Sequence, residues 1–123
     1  MSQTIRVPEN EQYVKNYVVY MGDTLSDQAA TVYDGDTLAD ASESTWKMRI
    51  EVEKTGTLFL QLTNGSGITF PDGKFFWQLT AAQTATMTPG KRYKYDIQRT
   101  RPDGIVKTFQ RGIMVPKKDT TPA

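Results

Sequence analysis

Polar and apolar residues alternate with a period of two through much of this chain. The longest run is Thr45 to Glu53: Trp46, Met48, Ile50 and Val52 fall on one face, and Lys47, Arg49, Glu51 and Glu53 on the other. Period two over such a length describes a half-buried strand with one wet face, whereas a helix would scatter these apolar residues around its circumference. Leu58, Leu60 and Leu62 alternate with Phe59 and Gln61, and Phe75, Trp77 and Leu79 with Phe76 and Gln78. Tyr93, Tyr95 and Ile97 share a face. The β-branched and aromatic segment Tyr13–Tyr20, the short runs Ala29–Tyr33 and Ile68–Phe70, and the closing run Ile105–Val115 complete the expected strands, with Gly112 expected to be a bulge.

Turn residues separate these runs. They are Met21-Gly22-Asp23-Thr24, Asp34-Gly35-Asp36, Lys54-Thr55-Gly56, Asn64-Gly65-Ser66-Gly67, Pro71-Asp72-Gly73 and Pro102-Asp103-Gly104, the last joining two strands as a hairpin. Residues 39–44 are expected to be a loop. Thr80 to Met87 is the one helix candidate: Thr80 can cap it, Gln83 stands at capping-box spacing, and Pro89-Gly90 stops it. Short strands at roughly ten-residue spacing predict an all-β fold, an Ig-like antiparallel β-sandwich with one short crossover helix near residues 80–87. Residues 1–12 are expected to be a flexible arm, 13–116 the sandwich, and 117–123 an extended tail. The expected core is Trp46, Met48, Ile50, Val52, Leu60, Leu62, Phe75, Trp77, Leu79, Tyr93, Tyr95, Ile97, Phe109 and Ile113.

Composition narrows the chemistry. The 123 residues make one domain and include no Cys and no His. Disulfides, thiolate metal sites and thiol nucleophiles are excluded, as are histidine bases, ligands and triads. No apolar run reaches the ~18 residues of a membrane helix, and the N-terminus has no secretory h-region. The net charge of +1 hides an asymmetry: residues 1–87 hold 6 Lys/Arg against 11 Asp/Glu, and residues 88–123 hold 9 against 3. Acidic and basic strands pairing within one fold explain this most simply, and charge matching between subunits comes second. Nucleic acid is disfavoured, because the basic residues alternate along strands instead of clustering.

Few residues suggest a site. Asp34, Asp36 and Asp40 offer hard oxygen ligands for calcium, but no closing glutamate follows, and a solvated hairpin turn accounts for Asp34-Gly35-Asp36. Asn64-Gly65-Ser66-Gly67 lacks the Gly-Lys-Ser/Thr ending of a phosphate loop. No carboxylate pair stands in surroundings that would tune it for glycoside hydrolysis. Trp46, Trp77, Tyr93 and Tyr95 could line a sugar-binding face, but each lies on the apolar side of its strand and is expected in the core. Tyr17, Tyr20, Phe59 and Phe76 would mark an interface if exposed together. No catalytic, cofactor or metal residue is assigned, and a non-enzyme is expected.

The second half carries a resemblance. Gly73-Lys74-Phe75-Phe76-Trp77-Gln78-Leu79-Thr80 is followed by Met87-Thr88-Pro89-Gly90-Lys91-Arg92-Tyr93-Lys94-Tyr95-Asp96-Ile97-Gln98 and by the hairpin Pro102 to Val115. This succession resembles small β-sandwich structural proteins of tailed bacteriophages and prophages, including N-terminal domains of baseplate upper proteins. Met21-Gly22-Asp23-Thr24 is similar to the early Gly-Asp-Thr found there. The resemblance implies a virion protein, assembled in the bacterial host cytoplasm, that acts as an adaptor at the tail or fibre attachment. Its implied partners are other virion proteins, with homo-oligomerisation open and no membrane involved. It departs at the ends, since no coiled coil, shaft or receptor-binding tip is present. A capsid decoration or head-fibre base is the alternative, and a carbohydrate- or calcium-dependent module the alternative from another class.

Overall fold

The computed structural model describes the backbone of residues 3–5 and all of residues 13–118. Among the described residues twelve strands succeed one another: β1 (Gln3–Ile5), β2 (Tyr13–Val14), β3 (Tyr17–Tyr20), β4 (Leu25–Ser26), β5 (Ala30–Asp34), β6 (Thr37–Ala39), β7 (Thr45–Val52), β8 (Leu58–Asn64), β9 (Gly67–Thr69), β10 (Phe76–Leu79), β11 (Tyr93–Thr100) and β12 (Val106–Lys117). One helix, α1 (Ala81–Ala85), stands between β10 and β11. The all-β expectation is met. A small sheet runs β1-β5-β6, and a large one runs β2-β12-β11-β7-β8-β9-β10-β4 with β3 also on β12.

The expectation of exclusively antiparallel pairing is corrected. β1 on β5, β2 and β3 on β12, and β8 on β9 are parallel. For β2 and β3 the reason is topological. The chain passes through the rest of the domain before β12 returns beside them, and such a long connection permits the same direction. For β8 and β9 the reason is local: Gly65 and Gly67 at φ 78° and 89° wind the chain through a full turn.

β7 forms as its alternation predicts. Trp46, Met48 and Ile50 are fully buried, each burial contributing about 2 kcal/mol, while Val52 at the strand end is half-buried. Across the ladder Val52, Ile50 and Met48 face Tyr93, Tyr95 and Ile97 of β11, also buried, and Trp46 faces Arg99. Phe75 stacks on Trp46 at 4.2 Å between ring centroids, and Phe109 meets the same indole edge-on at 5.0 Å. Backbone bonds between Ala30 and Phe75 tie the small sheet to this core.

Two expected core positions shift because strands carry irregularities. The β11–β12 ladder slips between Ile97 and Gln98, and the extra residue is Phe109, not Gly112, which stays in register opposite Tyr95. A bulge reverses the inward–outward parity beyond it. Phe109 and Gln110 are therefore both buried, Met114 replaces Ile113 in the core, and Ile113 is half-buried. The β7–β8 ladder slips in the same way at Ile50/Glu51, so Phe59 turns in against Tyr93 at 5.1 Å and Leu60 is only half-buried.

Helix α1 begins as expected. The Thr80 hydroxyl accepts from the Gln83 amide at 3.1 Å, and Gln83 Oε1 accepts from the Thr80 amide at 2.8 Å, closing the capping box. Residues 39–44 are not plain loop, since Ala41–Glu43 make one 3₁₀ turn capped by Asp40. Of the expected arm, Gln3–Ile5 form β1, while the rest lies outside the described residues. Of the expected tail, Lys117 ends β12 and residues 119–123 lie outside them.

Candidate interaction surface

The inner side of β3 is held by a polar cluster. Lys15 Nζ and the Tyr17 hydroxyl both donate to Asp27 Oδ2 at 2.6 Å. Gln110 Nε2 donates to Tyr17 and Tyr95 hydroxyls at 3.0 and 2.9 Å, and the Tyr95 hydroxyl donates to the Lys15 carbonyl at 2.6 Å. Burial, with the Asp27 carboxylate beside it, pushes the Tyr17 hydroxyl far above its ordinary value, and burial pushes Tyr95 up to about 12. Burial alone would raise Asp27, but hydrogen bonds from Lys15 and Tyr17 outweigh it and hold the carboxyl below its usual range. Both hydroxyls are thus fixed as protonated donors at neutral pH. They work as struts that fasten the edge of the sheet, not as acids.

A second cluster surrounds Arg99, which strand alternation places on the inward face of β11 with only 7% exposure. Its Nη1 and Nη2 grip Asp34 at 2.6 and 3.1 Å, its Nε donates to Ser44 Oγ at 2.9 Å, and its guanidinium carbon lies 5.8 Å from the Trp46 ring centroid. This bidentate pair holds the Asp34 carboxyl below its usual range. Arg99 continues the parity of Tyr93, Tyr95 and Ile97, which signals its burial in the sequence, but nothing local identifies Asp34 as its partner.

The three aspartates considered for calcium are not brought together as ligands. Asp34 is engaged by Arg99, and Asp40 accepts from the Ser42 amide and hydroxyl at 3.0 and 2.7 Å. Asp36 lies in the β5–β6 turn. Among the described residues no three acidic side chains gather as for a metal ion. Trp46, Trp77, Tyr93 and Tyr95 are all at most 3% exposed, so they offer no sugar platform. Asn64 is a brace: its side chain accepts from the Trp46 amide at 2.8 Å and donates to the Ser44 carbonyl at 2.9 Å. Ser44-Thr45-Trp46-Lys47 has the Ser-x-x-Lys spacing of a serine–lysine dyad. The strand separates its two ends, burying Ser44 against Arg99 and leaving Lys47 exposed.

The outward face of the large sheet is a charge ladder. Glu53 meets Arg92 at 3.4 Å, and Glu51 meets Lys94 at 3.6 Å and Arg49 at 3.1 Å; away from this face, Arg101 joins Arg99 at Asp34. Most of these contacts join the acidic first part of the chain to the basic last part, with Glu51, Glu53 and Asp34 answering Arg92, Lys94, Arg99 and Arg101 within the fold. Asp96 stands opposite Arg49, yet its Oδ1 is buried without a hydrogen bond, as is Arg49 Nε. Burial and the nearby Glu51 raise the Asp96 carboxyl above its usual range.

At one margin this face becomes apolar. Val14, Val18 and Tyr20 are 55%, 46% and 53% exposed on β2 and β3, with Val18 beside Val115. Of the four aromatics singled out as interface markers, Tyr20 is the exposed one, and Tyr17, Phe59 and Phe76 are half-buried. Neither protein-family models nor curated proteins give a match to this chain.

Proposed function

We propose that this protein is a structural component of a tailed-phage or prophage virion, a non-catalytic adaptor at the tail or fibre attachment that works by protein–protein assembly. One observation carries the reading. The segment that bears the resemblance is built as a framework: the Thr80–Gln83 capping box, the reversal at Gly90 with φ 87°, and the anchoring of Tyr93 and Tyr95 in the core are all architectural. The Ig-like sandwich belongs to the same reading, supported by the small sheet bonded to the large one through Ala30 and Phe75. Of the acids considered for chemistry, Asp34 is engaged by Arg99 and Asp40 by a cap, while exposed apolar side chains stand on a strand at the sheet edge, where assembly takes place.

The test is particle composition. Virions purified from a producing strain are analysed by quantitative mass spectrometry, and the protein is located on them by immunogold labelling. Stoichiometric incorporation with label at the tail is the expected result. Label on the head would replace the adaptor with a capsid decoration or head-fibre base, and absence from purified particles would overturn the virion reading.

A further inference from the structure

The outer edge of β3 has a backbone pattern that a second copy of the same chain can satisfy. The Lys15 and Met21 amides donate to the Arg111 and Lys117 carbonyls of β12, at 2.9 and 3.0 Å, in one parallel offset. From Tyr17 onward the odd-numbered residues therefore turn their backbone groups toward β12 and the even-numbered ones turn theirs away, while the Lys15 carbonyl leaves the ladder for the Tyr95 hydroxyl and so turns the Asn16 amide of the same planar peptide out of the edge. That leaves the Asn16 carbonyl, both backbone groups of Val18 and the Tyr20 amide directed at the open edge. Among the described residues no strand pairs there. The Tyr20 carbonyl is closed off by the Asp23 amide at 3.0 Å.

We propose that two copies associate through this edge across a two-fold axis at Val18, joining their large sheets antiparallel. In that register Val18 exchanges both backbone bonds with the partner's Val18, and the Tyr20 amide donates to the carbonyl of the partner's Asn16, twice over by symmetry. All four open groups are satisfied. The side chains agree: Asn16-Tyr17-Val18-Val19-Tyr20 carries no charge and no proline, so like charges do not meet on the axis. The nearest cation, Lys15, is neutralised by Asp27. The common protections of an edge strand, an outward lysine or a proline, are absent from these five residues. Val18 and Tyr20 instead add to an apolar stripe that a second copy covers. This inference rests on β3 and is independent of any place in a virion.

The experiment uses the full chain, whose lack of cysteine makes a single introduced thiol specific. Residues exchanging both bonds across an antiparallel pair have Cα atoms ~5.5 Å apart, within disulfide range. Val18→Cys should therefore yield a disulfide-linked dimer under mild oxidation, and Leu38→Cys, exposed on β6, should not. Light scattering at ~100 µM, suited to a small interface, should give twice the 13.9 kDa chain mass, unchanged between low and high salt because no ion pair holds the dimer. Val18→Lys should return it to monomer without loss of thermal stability at dilutions where the wild type is also monomeric. A monomeric wild type, a dimer that salt dissociates, a dimer that survives Val18→Lys, or equal cross-linking at positions 18 and 38 would each overturn the proposal.

Discussion

Gly112 lies directly beneath the carbonyl of Lys15: a Cβ at Gly112 would stand 1.9 Å from that oxygen. The contact occurs where the first edge of the sheet breaks between β2 and β3. There the Lys15 carbonyl turns to accept the Tyr95 hydroxyl, and Asn16 Oδ1 takes its place as acceptor for the Ile113 amide at 2.9 Å.

Gly112→Ala is therefore expected to destabilise the fold by about 3 kcal/mol, because backbone cannot yield as a flexible side chain can. Gly104→Ala is the control, with φ 89° but open space around its Cβ, and should cost about 1 kcal/mol. Chemical denaturation of both variants separates steric approach from backbone conformation. Equal costs would count against the contact.

Asp34→Asn leaves the Arg99 guanidinium buried without its charge partner and should cost about 3 kcal/mol at neutral pH. The double variant Arg99→Leu/Asp34→Asn should recover part of this. Since the folded state holds Asp34 below 3.8, its contribution is present above pH 3.8 and is lost as pH falls through the lower folded value. The difference between wild type and Asp34→Asn should shrink in that window, followed by urea midpoints against pH.

Asp96→Asn should act with the opposite sign. The folded state raises this carboxyl, so its charge opposes folding above the raised value, and the penalty disappears as pH falls below 3.8. The variant should be more stable than wild type by roughly 1 kcal/mol at pH 7 and no more stable in acid. A destabilised Asp96→Asn at pH 7 would show that Asp96 is paired with Arg49 in solution.

Thr80→Ala removes one half of the capping box and should cost about 1 kcal/mol, with Thr80→Ser restoring most of it. Thermal melts of the three proteins check this. An indifferent Thr80→Ala would mean that α1 is held by packing alone, chiefly by the buried Thr84, whose hydroxyl donates to the Asp23 carbonyl at 2.8 Å.

Local pattern by itself determined the all-β class, the span and buried face of β7, the turns at Asp34-Gly35-Asp36 and Pro102-Asp103-Gly104, and the capped helix after Thr80. Each depends on side-chain period or on a cap a few residues away, so neighbouring residues carry the whole signal. It also placed Trp46, Trp77, Tyr93 and Tyr95 in the core instead of on a sugar-binding face.

Tertiary structure alone decided the rest. The bulge at Phe109 reverses parity in β12 and exchanges Ile113 for Met114, because ladder register depends on the partner strand as well as on the strand itself. Pairing of β2 and β3 with β12 is a contact between the two ends of the chain, which no local periodicity encodes. The same holds for Arg99 with Asp34, 65 residues apart, and for Gly112 under Lys15. Only that return of the chain makes Tyr13–Tyr20 the margin of a sheet. It leaves the backbone of Asn16, Val18 and Tyr20 facing outward at the edge, where hydrogen bonds must be found beyond the sheet.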